Sequence, residues 1–481
     1  MGLLRYRKRL SEQSVDVDEQ LQTPIESFDV PSKLIDNFNV ANDGEMSKLQ
    51  LQIYNVIGRY ADLSLVTEGR QHEVLYCMHV LNHIIKTRNM VISNTRNLQE
   101  LREKGTLTED AIEMARDQGF SRCKALILCP MKKDAFRIVE YFKKLIFGDS
   151  TKPFVSNSQR FHDEFDDTGY RINAKREVED EYRELMSGNL DDCFRIGVGI
   201  AKKSLKLYTS FDESDIIVAS PLGLRTIVGD EEETNHQTDF LSSVEVVIID
   251  KADIILMQNW EHLLHIMDSL HNRPEKLNVD ISRVRQWALS EHTKFYRQTL
   301  LFSSMKLAEC EALFALKCFN FAGFFSHFPQ STGILNCIDV PVYQQLHRLV
   351  VNSAEQQSDE RFEYFRQKIL CKCEQGTVIF IPSYFDFVRI RNLFKVDGES
   401  FVQLNEYAKQ GKGIKSLVFY QPPSNPQFYS QFINMTAQDH PVQVTIIHNK
   451  FDSIRMSNIF GDQMYSQISN SPKNVILLMS Q

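Results

Sequence analysis

The stretch VVIIDKADIILMQNW, residues 246–260, decides the fold. A four-residue apolar run ending in aspartate reads as a parallel strand buried on both faces. Its last carboxylate emerges at the carboxyl end of the sheet, the edge where such folds bind ligands. In a nucleotide hydrolase a carboxylate placed like Asp250 holds magnesium, and the acid that follows it orients the attacking water. Asp250 and Asp253 are both present here, but position 251 is lysine. An ammonium cannot serve as that base, and it sets positive charge beside the metal position. The strand-end frame is kept and hydrolysis is not expected.

Read alone, IDKAD also fits a plain strand-end turn with a salt bridge, so its neighbours must decide. Working outward, ALILCP (125–130), DIIVASP (215–221), VEVVIID (244–250) and QTLLFSS (298–304) are short apolar runs ending in small or polar residues, with helical stretches between them. That rhythm predicts an α/β fold with a doubly wound parallel sheet. A second series, TVIFIPS (377–383), SLVFYQPP (416–423), VQVTIIH (442–448) and NVILLM (474–479), predicts a second sheet. Two RecA-like lobes result. The expected organisation is a polar N-terminal tail or docking arm over 1–60, a first lobe over 61–335 with a charged surface insertion near 150–193, and a second lobe over 336–481. The second lobe reads as shortened, because only about forty residues lie between its first two strands, where roughly two more strand–helix units would normally fit.

A phosphate-binding loop needs glycines so that backbone amides can curl inward, followed by Lys-Thr to meet phosphate and magnesium. No such motif occurs. The nearest register is VLNHIIKT (80–87), where Lys86 and Thr87 are present but Val80 and Ile85 stand at the glycine positions. β-Branched residues resist positive φ, so this stretch is expected to run on as helix. LLFSSM (300–305) places Ser303 and Ser304 where a helicase couples nucleotide to RNA. In NPQFYSQFINMTAQ (425–438), Gln431, Phe432, Met435 and Gln438 occupy positions that would need His and Arg, and none of them can supply an arginine finger. No cofactor and no metal are expected.

Composition narrows the remaining choices. With 481 residues, 42% hydrophobic and 25% charged, the chain has room for more than one core, and its net charge of −8 argues against coating nucleic acid by bulk electrostatics. The nine cysteines show neither zinc-site spacing nor a secreted disulfide pattern. No apolar run approaches the ~18 residues of a membrane span. RNA contact would therefore be local. The candidates are Lys202, Lys203 and Lys206 with Ser220 and Arg225, and the basic-aromatic stretch RVRQWALSEHTKFYR (283–297) with Arg283 and Arg285.

Several strings resemble one family closely: ALILCPMKKDAFRIVEYF (125–142), KSLKLYTSF (203–211), VVIIDKADIILMQNWEHLLHIM (246–267) and IFIPSYFDFVRIRNLF (379–394). These are similar to the U3 small nucleolar RNA-associated protein 25 family, also called the digestive organ expansion factor family. The resemblance implies a degenerate, DEAD-box-like pseudo-helicase of the nucleus and nucleolus. It implies work in the small-subunit processome, supporting early pre-rRNA processing for 18S rRNA through contacts with U3 snoRNA, pre-rRNA and other processome proteins, with no small-molecule substrate and no membrane. The alternatives are a divergent RNA-dependent ATPase and a protein-recruiting regulatory adaptor in the nucleolus.

Overall fold

In chain order the strands are β1 (Leu4–Arg7), β2 (Ser14–Asp16), β3 (Asp62–Val66), β4 (Ala125–Leu128), β5 (Val155–Ser156), β6 (Arg195–Ala201), β7 (Ser204–Leu207), β8 (Ile216–Ala219), β9 (Val246–Ile249), β10 (Gln298–Ser303), β11 (Phe324–His327), β12 (Val342–Arg348), β13 (Thr377–Phe380), β14 (Ser416–Phe419), β15 (Val442–His448) and β16 (Val475–Met479). The computed structural model describes residues 4–7, 14–16, 23–67, 69–150, 153–169, 172, 180–201, 204–229, 237–277, 279–327, 329–404, 414–436 and 441–479. The chain divides into two units. The first comprises Gly2–Ser304 and Glu309–Phe328, the second Met305–Ala308 and Pro329–Gln481. Residues 329–335, expected in the first lobe, thus belong to the second unit.

The first lobe is built on one eleven-stranded sheet of order β2-β1-β11-β3-β10-β9-β4-β8-β6-β7-β5. Its centre, β11 through β8, is parallel throughout. β6 and β7 add an antiparallel flank. Every residue of β4, β8, β9 and β10 is buried. That is why these strands read as unbroken apolar runs: helices cover both faces, so no face alternates with water.

Residues 23–60 correct the expectation of a polar tail. Helices Ser32–Ala41 and Lys48–Ile57 place Leu34, Phe38, Ile53, Tyr54, Val56 and Ile57 in the first lobe's core. Two of the polar residues there, Gln50 and Asn55, are buried and satisfied. Gln50 Nε2 donates to Asn42 Oδ1 at 2.7 Å and to the Gln71 carbonyl at 3.1 Å, and Asn55 Nδ2 donates to the Thr23 and Leu51 carbonyls, both at 2.9 Å. Ser47 and Gln50 close a capping box on the second of these helices. The charged insertion is also less superficial than expected, since Phe161 and Phe165 enter the core and stack at 4.7 Å.

The second lobe carries a five-stranded sheet of order β13-β14-β15-β12-β16, with only β16 antiparallel. One core cluster gathers around Leu346, Phe419, Tyr429 and Ile446, and another around Phe365, Val418, Tyr420 and Ile447. Strand alternation accounts for the split: Val418 and Phe419 are neighbours in sequence and face opposite sides. β12, which begins in the stretch IDVPVY (338–343), lies inside this sheet between β15 and β16.

Candidate functional site

Asp250 follows β9 at the carboxyl end of the first sheet, where a nucleotide's metal would be held, and it is 0% exposed. Both of its oxygens are taken by the protein. His72 Nε2 lies 3.1 Å from Oδ1, and the Tyr76 hydroxyl donates to Oδ2 at 3.0 Å. His72 and Tyr76 are four residues apart on the helix Gln71–Glu103, so one helical face delivers both. His72 is further fixed by stacking on Phe302 of β10 at 4.5 Å. Burial pushes the Asp250 carboxyl up, but the hydrogen bond and charge of His72, then Lys251 and the Tyr76 hydroxyl, outweigh it and hold it below its ordinary value.

Lys251 adopts a left-handed backbone (φ 53°) at the start of helix Ala252–Gln258. This turns its ammonium onto Asp134, with Nζ 2.7 Å from Oδ1. Arg137, three residues after Asp134 on the helix Lys132–Phe147, donates from Nη2 to Asp134 at 2.7 Å and grips Glu73 through Nη2 and Nε at 3.1 and 3.2 Å. Glu73 and Asp134 are both buried. Burial alone would lower the Arg137 pKa, but the two carboxylates raise it above its ordinary value. The carboxylates are therefore paired with cations from the protein itself. Magnesium prefers several open oxygen ligands in octahedral array, and among the described residues no group of three or more His, Cys, Asp or Glu is arranged to hold a metal.

Lys86 and Thr87 lie inside the helix Gln71–Glu103, about four turns beyond His72. Lys86 Nζ donates to the Phe28 carbonyl at 2.7 Å, well away from Asp250. The strand-to-helix turn that begins this lobe is instead the one after β3, through Thr67, Gly69 (φ 84°) and Arg70. Thr67 N donates to the Ser303 carbonyl at 2.9 Å, which ties the turn to β10. The sequence did contain this signal, as DLSLV followed by a glycine and a helix, but Asp62 and Ser64 broke the apolar run.

Of the expected positions, Asp250, Lys251, Asp253, Ser303 and Ser304 come together and Lys86 and Thr87 do not. Ser304 N and Oγ donate to Asp253 at 3.1 and 2.9 Å, joining the end of β10 to the helix after β9. His72, Glu73, Tyr76, Asp134 and Arg137 were not read from the sequence as site residues.

The RNA candidates fare differently. Lys202 and Lys203 lie outside the described residues, and Lys206 is exposed on β7. Ser220 is buried and accepts from Gly223 N at 3.0 Å as a helix cap, so it has no face for RNA. Arg225 Nη1 donates to the Gly229 carbonyl at 2.7 Å. Arg283 grips both oxygens of Asp117 at 2.8 Å, and Arg285 binds Glu245 at 2.6 Å. These two guanidiniums tie segments of the lobe together. In the second lobe, Gln431 and Phe432 lie on helix Gln427–Asn434 with Met435 just after it; Gln438 falls outside the described residues.

The model of the UTP25 NTP hydrolase-like domain matches residues 59–325, and that of the Utp25 C-terminal domain matches 334–412 and 409–478. The chain belongs to the UTP25 family. Among its relatives, the U3 small nucleolar RNA-associated protein 25 homolog of Xenopus tropicalis is 36% identical over 490 residues, covering 92% of this chain and 63% of that protein. U3 small nucleolar RNA-associated protein 25 of Schizosaccharomyces pombe is 32% identical over 495 residues, covering 93% and 73%. This UTP25 chain thus spans less than two thirds of its Xenopus relative's length. It is also similar to the solved structure of a DEAD box protein from Methanococcus jannaschii, at 12% identity and a TM-score of 0.33, covering 90% of this chain and 94% of the other. No helix among the described residues is long and apolar enough to cross a membrane.

Proposed function

We propose that this UTP25 protein is a non-catalytic assembly factor of the nucleolus. In this reading it is a pseudo-helicase that works with the small-subunit processome and supports early pre-rRNA cleavages on the way to 18S rRNA, through contacts with U3 snoRNA, pre-rRNA and processome proteins. Family membership supports the ribosome-assembly part, since the relatives carry U3 small nucleolar RNA association in their names. One observation carries the non-catalytic part: the buried Asp250 has both oxygens occupied by His72 and Tyr76, while Lys251, at the position of the water-orienting acid, is held by Asp134. A metal would have to compete for a fully buried carboxylate that already accepts a hydrogen bond at each oxygen, and the next residue would still offer no base.

Depletion and rescue test this role. Rescue with the wild-type chain is expected to restore 18S precursors, U3 snoRNA is expected to co-precipitate with the chain, and Lys251→Ala is expected to rescue equally well. Normal 18S maturation in depleted cells would overturn the role. Failure of Lys251→Ala, with the protein present at wild-type level, would overturn its non-catalytic character.

A further inference from the structure

At the opposite, amino end of the first sheet lies a cleft of about 590 Å3, within the size range of ligand-binding pockets. His271, in its wall, reaches the carbonyl of Val244 just before β9, and Arg297 immediately precedes β10. Arg297 is 3% exposed and lines the cleft. It donates from Nη2 to the Lys317 carbonyl, but its buried Nε has no partner and no carboxylate among the described residues pairs with it. Arg137, Arg283 and Arg285, also drawn into this lobe, each meet a carboxylate. A buried cation without a counterion is costly, and an anion supplied from outside would relieve that cost.

Around this charge the wall is apolar and open. Ile281 is 53% exposed and Leu316 67%, with Leu289 and Phe319 beside them. Lys294 stands over the rings of Phe295 and Phe319 at 5.4 and 5.6 Å, adding a second cation at the rim. Exposed apolar residues ringed by charge mark a protein-interaction site. An RNA strand brings a phosphate at every nucleotide, whereas this cleft sets its cations, Arg273, Lys294, Arg297 and a Lys317 already paired with Asp268, among apolar groups and beside Glu291. One carboxylate with an apolar neighbour fits better.

We propose that this cleft docks a linear peptide of another protein, seating an Asp or Glu carboxylate on Arg297 and an adjacent leucine- or phenylalanine-like side chain against Ile281, Leu289, Leu316 and Phe319. The inference stands whether or not the protein serves ribosome assembly. The test is selection of a random dodecapeptide phage library on the full chain, with Leu316→Glu as the counter-target. Leu316 is exposed, so that variant keeps the fold, and an unchanged melting temperature checks this.

Enriched sequences are expected to pair an acidic residue with Leu, Phe or Trp. Their synthetic peptides should bind at least ten-fold more weakly to Leu316→Glu and to Arg297→Met, and oligouridylate should not displace them. Three results would overturn the proposal: no enrichment over the counter-target, enriched peptides lacking a carboxylate, or displacement by oligouridylate, which would make the cleft a phosphate site. Should Arg297→Met fail to fold, the Leu316→Glu comparison still decides.

Discussion

Arg137, beyond the carboxyl end of the first sheet, and Arg297, at its amino end, are both guanidiniums drawn into the same lobe, yet one meets two carboxylates and the other meets none among the described residues. At the carboxyl end, the edge where α/β folds ordinarily take ligands, Asp250 is bonded by His72 and Tyr76, and Asp134 and Glu73 are paired with Lys251 and Arg137. At the amino end a cleft is left with a buried positive charge facing it. The carboxyl-end carboxylates are thus held by the protein's own side chains, and the unpaired charge lies at the other edge.

The sharpest way to break this contrast is to make the same substitution at both ends. Arg137→Met leaves the buried Glu73 without its cation and Asp134 with Lys251 alone, and is expected to cost about 3–5 kcal/mol in urea unfolding. Arg297→Met removes a charge that has no counterion and is expected to change stability by less than about 1 kcal/mol. Equal losses at both ends would show that Arg297 has an internal partner after all.

Acid should act chiefly on the amino end. Burial, then the neighbouring His83, lowers the His79 pKa from 6.5 to about 3. Between those values the unfolded chain takes up a proton that the folded chain refuses, so stability is lost as pH falls through that window. The loss is about 1.4 kcal/mol per pH unit, or about 2 kcal/mol between pH 6.5 and 5. Glu245 beside it acts in the same direction at lower pH. Burial raises its pKa, but Lys124, His83 and Arg285 outweigh that and hold it well below the ordinary carboxylate value, so its contribution is present above that range and fades as the group protonates. Replacing His79 with Gln should reduce the slope between pH 6.5 and 5 and leave the parallel contributions of His271 and His448, whose pKa values burial lowers to about 3 and about 4, and an unchanged slope would contradict the assignment.

The smallest expected effect is at the sealed end's outer tie. Ser304→Ala removes one hydrogen bond to Asp253 and should cost about 1 kcal/mol in the same unfolding measurement.

Much of the scaffold was legible in the sequence because buried parallel strands announce themselves as apolar runs, as β4, β8, β9, β10, β14 and β15 do. β3 did not, since Asp62 and Ser64 interrupt it, and losing β3 moved the expected phosphate loop to Lys86 and Thr87. Asp250, Lys251 and Asp253 were legible because their chemistry depends on adjacent residues. The groups that seal them were not: His72 and Tyr76 reach Asp250 across more than 170 residues of chain, and Arg137 reaches Glu73 across 64. Nothing local distinguishes those side chains from any amphipathic helix. Residues 23–60 misled for a related reason, because Gln50 and Asn55 look solvated until the carbonyls that accept their hydrogen bonds are in place.

Isothermal titration calorimetry of the full chain with magnesium and ATP tests most directly the proposal that the carboxyl-end site is closed by the protein's own residues. No saturable heat is expected, with or without RNA. Magnesium-dependent ATP binding that disappears in Asp250→Asn would contradict it.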